Sequence, residues 1–484
     1  MIRVRIPPSP TGLLHIGTVR TALYNYLFAK HGDADGPGKM VFRIEDTDKE
    51  RSTKEYEKDI IDGLVRLGIA GDEGIHVPGD KGYRQSERTD VYKSDLERLL
   101  KEDKAYYCEC SKERLDQMRA EQQAKKLASR YDGTCRDKGL KSGVIRLRVS
   151  EDRGDIKWHD LVRGEMVIHA RELDDFVIAR SLDDPLYHLT VVADDHDMEI
   201  THVIRGEDHI SNTPKQILLF EALGWKVPAF AHLPLILNED KSKLSKRKNK
   251  VSLNDYLEEG YLPEAILNFL ALLGWNTPDE QEIFTMEELI EKFTLDRVHK
   301  GGAVFDVKKL DWINGEYIKK MVAENVDEFY RVAKPFIESK LNEDPALIKK
   351  ILQDPDFEGR FKKLSDIPEG LSPLFTALPD YPLELIAREK FGITSEMLKK
   401  VLKKVIEVTK GLEWEKGDSN KSQMISEAYV GIVETLGLKN GQVLWPIRVA
   451  LSGLEKSPNF ATLAVYLGKE ETLARLKKAL QKAS

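Results

Sequence analysis

Three groups of residues in this chain have the types and spacing to do chemistry. The first lies in "SPTGLLHIGTVR", which puts His15, Gly17 and Thr18 at the start of a helix, just after a proline-broken strand. Free backbone N–H groups and the helix dipole favour an anion at such a terminus. Gly17 removes a side chain where a flat ring or a phosphate could approach the backbone, and His15 and Thr18 add donors. The second is "KLSKR" inside "NEDKSKLSKRKNK", where lysines at 241, 243, 246, 248 and 250 flank Arg247. So polar a run reads as a surface loop, and lysine there offers a flexible point charge for phosphate oxygens. The third is Cys108-x-Cys110 followed by Cys135, which holds every cysteine of the chain. Thiols grouped in this way suggest a structural zinc with four ligands. Asp137 completes the expected set with Cys108, Cys110 and Cys135, and Tyr131 is the alternative fourth ligand. Taken singly, each group also has a plain reading: a capped turn, a solvated basic loop, three packed free thiols.

The elements that must position these groups can be read from periodicity. "IRVRI" alternates as a strand, and "PPSPTG" breaks it. Ile16, Val19, Leu23 and Leu27 then keep helical spacing until His31-Gly32. "KMVFRIEDTD" is a second strand, with Met40, Phe42 and Ile44 on one face and Glu45, Asp46 and Asp48 at its end. Strand–helix–strand at this length predicts a βαβ unit and a parallel sheet, whose ligands sit at the carboxyl ends of the strands. Residues 91–185 read as an inserted α/β segment with short strands such as "GVIRLRV" and "GEMVIHA". The sheet pattern resumes in "YHLTVVADD" and "ITHVIRGED". From about residue 250 the pattern is mostly helical, in "EAILNFLALLGW", "TMEELIEKF" and "EMLKKVLKKVIEVTKG".

Composition bounds the reading. The chain has 484 residues, with 41% hydrophobic and 32% charged, which supports several packed domains rather than disorder. The formal net charge is −7, so nucleic-acid binding would need a local basic patch rather than bulk charge. No apolar run approaches the roughly 18 residues that span a bilayer. Three cysteines and a start without an apolar signal core lead us to expect a reducing cytoplasm and no membrane partner.

The histidine and lysine stretches together resemble the paired signatures of class I aminoacyl-tRNA synthetases. Longer strings resemble the bacterial glutamyl-tRNA synthetase family within that class. They include "RIPPSPTGLLHIGT", "FRIEDTD", "YRQSER", "THVIRGEDHISNTPKQ", "GGAVFDVKKLDWINGEYI" and "IRVALSG", and they run through essentially the whole chain. The resemblance implies a two-step reaction. Glutamate attacks the α-phosphate of ATP, which carries Mg²⁺, and the glutamyl group then passes to the 3'-terminal adenosine of tRNA-Glu. It also implies roles residue by residue. Arg5 and Arg205 are expected to meet the glutamate carboxylates, Glu45 its ammonium group, and Ser9 and Tyr187 the rest of the amino acid. His15, Gly17, Thr18, Asp208, His209 and Ile236 are expected along ATP, with Lys243, Leu244 and Lys246 at its phosphates. Val191 departs from relatives that carry asparagine there, and so is not counted as a ligand. Some members carry a zinc in the inserted segment.

The resemblance implies a Rossmann-type catalytic domain in two halves, residues 1–90 and 186–240, split by an acceptor-stem-binding insertion at 91–185. A loop and stem-contact region at 241–325 and an α-helical anticodon-binding domain at 326–484 follow. Arg360 resembles a family arginine that favours the glutamate anticodon, and Arg448 is a second expected tRNA contact. Lys399, Lys400, Lys403 and Lys404 read as a solvated face. A monomer charging tRNA-Glu alone is expected, and charging of tRNA-Gln as well is the open alternative.

Overall fold

The computed structural model describes residues 1–127, 129–244 and 250–483. They fall into two compact units, Met1–Glu258 with Pro263–Leu310, and Glu259–Leu262 with Asp311–Ser484.

The first unit begins with the βαβ unit read from the sequence. Strand β1 is Arg3–Ile6, helix α1 is Ile16–His31 and strand β2 is Lys39–Phe42. β1 and β2 pair in parallel, from Arg3 against Lys39 to Ile6 against Phe42. α1 buries Ile16, Val19, Leu23 and Leu27, and it ends where Gly32 takes a φ of 76°, open to glycine without strain. Val41 is as buried as Met40 and Phe42, so β2 is covered on both faces rather than one, as in a sheet flanked by helices. Helix α2, Lys54–Arg66, leads to the short strand β3, Glu73–Gly74, which pairs in parallel with the other edge of β2.

On its free side β1 lies beside the strand His202–Gly206. The Thr201 N–H donates to Arg3 O at 2.9 Å, and the Arg3 N–H donates to Thr201 Oγ1 at 2.8 Å. His202–Gly206 pairs in parallel with Ala229–Leu233. The carboxyl ends of β1, β2 and these two strands therefore converge on one side. They deliver "PPSP", Arg43 to Glu45, Glu207 to His209, and Pro234 to Ile236 to a common edge.

Two expectations need correction. "YHLTVVADD" is not a strand: Tyr187–Asp197 is a helix. Its residues Leu189 to Asp195 are all buried, so the helical period is erased, and the β-branched run points to the wrong element. The inserted segment is also less separate than its boundaries suggest. Ala105–Cys108, Val144–Leu147, Val177–Ser181 and Asp184–Pro185 form an antiparallel sheet of their own. The hairpin Asp155–Asp160 and Gly164–His169 instead joins the main sheet, where Asp160 pairs with Phe230.

The second unit is helical, and among the described residues no strand follows Val304. Helix Ser395–Gly411 buries Leu398, Val401, Leu402, Val405 and Ile406 in one stripe, as its spacing predicts. Each such side chain contributes about 1.5–3 kcal/mol when removed from water. The unit boundary at Leu310 falls before the 325/326 boundary that the resemblance implies, within the continuous helix Val307–Glu324.

Candidate active site

A cleft of about 460 Å³ opens at the converging strand ends. Its lining includes Arg5, Ser9, His15, Gly17, Thr18, Glu45, Tyr187, Arg205, Asp208, His209, Ile236, Lys243 and Leu244. Every residue that the sequence places on glutamate or ATP is thus at one site, except Lys246, which lies outside the described residues with 245–249. The volume lies in the range of about 300–1,000 Å³ usual for small-molecule sites.

One end of the cleft is a buried charge network. Arg5 Nε donates to Asp195 Oδ1 at 3.2 Å, and Arg43 Nη1 donates to the same oxygen at 2.6 Å. Arg43 Nη2 reaches Glu45 Oε1 at 3.2 Å. Asp194, next along the helix, takes Arg88 Nε, Tyr92 Oη and Gln85 Nε2 at 2.7–2.9 Å. Buried ions of this kind need partners, and each of these charged groups has at least one of opposite sign. Burial pushes the Glu45 carboxyl up to about 6, against the pull of Arg43 and Arg5. It is still mostly ionised at neutral pH, and a cation arriving from the cleft would stabilise that charge.

Arg205 is different. Its Nε donates to His232 Nε2 at 3.2 Å, and its Nη2 to Thr213 Oγ1 at 2.8 Å, and none of its hydrogen-bond partners is a carboxylate. Burial lowers it to about 10, so it is still a cation at neutral pH. Arg5 Nη1 and Arg205 Nη1 are both buried without a hydrogen-bond partner. Two unfilled guanidinium donors in one cleft are a site for carboxylate oxygens. Tyr187 Oη lies 3.3 Å from His209 Nδ1, and burial holds that imidazole near 4, so it is neutral.

The other end carries the two signatures. His15 caps α1, its Nδ1 accepting from the Gly17 N–H at 2.9 Å. A Cβ on Gly17 would meet only the His15 ring, at 3.2 Å, so the helix terminus is open on the cleft side. The lysine loop is pinned at both described ends. The Leu244 N–H donates to Ile236 O at 2.9 Å, and beyond the loop the Ile16 N–H donates to Val251 O at 2.8 Å. Asp59, on α2, fastens the same junction by accepting from the Leu14 N–H and Asn254 Nδ2. Lys243 Nζ pairs with Asp208 Oδ2 at 3.2 Å, with both side chains well exposed.

The cysteines form a second cluster. The three Sγ atoms lie within 4.8 Å of one another, with Cys110 and Cys135 3.5 Å apart. Tyr131 Oη is 3.3 Å from Cys108 Sγ and 3.5 Å from Cys110 Sγ. Asp137 is not brought to this group: it points outward and pairs with Arg148 at 2.9 Å. The turn after Cys135 carries its side chain away, and the buried phenol stands where the fourth donor was expected.

In the second unit, Arg360 is exposed, and Arg448 is held over the ring of Trp445 at 4.6 Å. Arg388 lies over the same ring, also at 4.6 Å. Trp445 and Arg388 were not singled out from the sequence, and neither were Arg43, Asp194 and Asp195. An arginine beside "IEDTD" and a paired aspartate ending an apolar run were the signals for the latter group.

Comparison with known proteins agrees with this arrangement. Residues 1–312 match the family described as tRNA synthetases class I (E and Q), catalytic domain, and residues 328–480 match the one described as anticodon binding domain. The chain belongs to the E and Q family of class I tRNA synthetases. It is 41% identical to glutamate–tRNA ligase 2 of Thermoanaerobacter pseudethanolicus, covering 99% of this chain and 98% of that protein. It is 40% identical to the glutamate–tRNA ligase of Moorella thermoacetica, again over 99% of this chain and 98% of that one. A crystal structure of a glutamate tRNA ligase from Elizabethkingia meningosepticum, in complex with its amino acid, superimposes with a TM-score of 0.86 at 35% identity, covering 100% of both chains.

Proposed function

We propose that this protein is a glutamate–tRNA ligase, which activates L-glutamate with ATP and passes the glutamyl group to the 3'-terminal adenosine of tRNA-Glu. The observation that carries this reading is the buried Arg205, a cation with no carboxylate partner and an unfilled Nη1 facing the cleft. Glutamate bears one net negative charge and glutamine none, so an uncompensated buried guanidinium selects the acid. Arg5 takes the second carboxylate's share of donors, and Glu45 receives the ammonium. Ser9 and Tyr187 border the amino acid. His15, Gly17 and Thr18, with Asp208, His209 and Ile236, frame ATP, which enters with Mg²⁺ on its triphosphate. Lys243, Leu244 and Lys246 follow the phosphates as pyrophosphate leaves. Positioning and electrostatics supply the catalysis, with no protein nucleophile needed.

Arg360 and Arg448 read the anticodon, with Trp445 holding the Arg448 and Arg388 guanidinium groups, each 4.6 Å from its ring, and tRNA-Glu alone is charged. A cytoplasmic monomer is the setting this reading implies. Charging with labelled glutamate on separate tRNA-Glu and tRNA-Gln transcripts tests it. Glutamate on tRNA-Glu only is expected. Charging of both would remove the discrimination, and charging of neither would remove the function.

The thiol cluster suits a structural zinc. Tetrahedral Zn–S bonds of about 2.3 Å put ligand sulfurs about 3.8 Å apart, close to the spacing found here. Cys108, Cys110 and Cys135 would hold the ion with Tyr131, stiffening the inserted segment. Elemental analysis of protein purified without added metal should give about one zinc per chain, and none would remove the assignment.

A further inference from the structure

Arg205 is aimed from behind by two residues that do not line the cleft. His232 and Asp160 are both completely buried. His232 Nδ1 lies 2.5 Å from Asp160 Oδ2, and its Nε2 lies 3.2 Å from Arg205 Nε. A carboxylate beside Nδ1 fixes the ring proton there. Nε2 then presents a lone pair, and the Arg205 Nε–H donates to it.

We propose that Asp160 and His232 are a positioning relay that holds the Arg205 guanidinium toward the amino acid's side-chain carboxylate without neutralising it. This rests on glutamate being the substrate. A carboxylate set directly against Arg205 would orient the fork equally well, as Asp195 does for Arg5, but it would also cancel the charge that selects glutamate over glutamine. Placing a neutral imidazole between them separates orientation from compensation. The Asp160 charge is absorbed locally. Besides the His232 ring, its carboxylate accepts from the backbone N–H groups of Val162, Arg163 and His232 at 2.9–3.2 Å.

The relay works in one protonation state. A proton on Nε2 would set two N–H groups face to face at 3.2 Å, and Arg205 would have to turn away. The groups that face His232 are Asp160 from its strand, Arg163 from the following turn, Arg205, Thr213 at 3.1 Å, and His209 nearby. Burial is the largest influence and keeps the ring below the usual histidine range, helped by Arg205 and Arg163 and opposed by Asp160. The ring is therefore neutral at neutral pH. Because Asp160 sits in the inserted hairpin, the relay also ties that segment to the amino-acid pocket.

The test is steady-state charging by the full-length protein with glutamate and ATP varied in turn. His232→Leu should raise KM for glutamate about 10- to 100-fold, more than it lowers kcat, and leave KM for ATP within about twofold. His232→Gln places an oxygen acceptor near the Nε2 position and should recover most of that loss. As the pH falls through about 6, where Glu45 takes up its proton, and on into the lower range of His232, the parent's KM for glutamate should climb. His232→Gln should climb less steeply, since the His232 contribution is then gone while those of Glu45 and His209 remain. A His232→Gln profile that superimposes on the parent's would overturn the relay, as would a folded His232→Leu variant with an unchanged KM for glutamate. If His232→Leu does not fold, the pH comparison still decides. No glutamate charging by the unaltered protein would instead overturn the function on which the relay rests.

Discussion

At the end of the cleft proposed for the amino acid, Arg5, Arg43, Glu45, Asp195 and Arg205 are buried and each is braced by a second residue, whereas at the end proposed for the phosphates the Lys243 and Asp208 side chains stand 61% and 49% exposed. The two ends solve different problems. Telling glutamate from glutamine, which match in size and shape, needs charge fixed in a low-dielectric setting, where one unpaired cation counts for much. Pyrophosphate departure moves charge through space, and a solvated lysine on a flexible stem can follow it. Rigidity belongs to selection and exposure to release, and substitutions at the two ends should fail in different ways.

The largest effect should come from Arg43, which no ligand need touch. It joins Asp195 to Glu45 from a fully buried position, and its charge is held by three carboxylates against burial. Arg43→Met leaves Asp195 and Glu45 facing each other in the interior. Removing one partner from a buried ionic network costs about 3–5 kcal/mol of stability. Urea unfolding measures this directly. A loss no larger than that of a surface pair would break the claim that this end is braced by charge.

Arg205→Ala comes next and acts on substrate rather than fold. It should lower kcat/KM for glutamate by about 10³-fold, the scale for truncating one partner of a buried charged contact, with KM for ATP nearly unchanged. Relative use of glutamine should rise, because the positive charge that penalises it is gone. An equal loss for both amino acids would assign Arg205 to packing.

Much of this site was legible because its chemistry demands particular residue types at fixed offsets from a strand end. "SPTGLLHIGT" and "KLSKR" were recognisable as local strings, and the structure brings Ile16 against Val251 and places His15, Gly17, Lys243 and Leu244 on one cleft. The bracing was not legible. Asp194 and Asp195 close an apolar run that reads as a strand, and their partners Arg5, Arg43 and Arg88 come from distant segments. No local pattern announces a buried ion pair. Likewise, the even spacing of Cys135-x-Asp137 favoured Asp137 as a ligand. The backbone turn decided otherwise, sending Asp137 to Arg148 and leaving Tyr131 against the thiols. Periodicity also marked the helices of the second unit without showing that Arg388 and Arg448 share Trp445: Arg448 stands one turn from Trp445 on the same helix, but Arg388 comes from a distant loop.

Lys243→Ala should have the smallest effect, and its dependence on salt is what separates the two ends. The exposed pair with Asp208 contributes little to the fold, so unfolding should be unchanged. The activation rate should fall about tenfold at low ionic strength, less than for a fully buried transition-state donor, because water already screens this charge. Raising salt from about 0.05 to 0.5 M shortens the screening length from more than 10 Å to less than 5 Å. The parent's advantage over Lys243→Ala should shrink across that range, while the deficit of Arg205→Ala should hold, since its charge lies out of reach of counterions. If both deficits shrink together, the amino-acid end is wetter than its burial indicates. If neither does, Lys243 contacts the phosphates from a site that closes over it during the reaction.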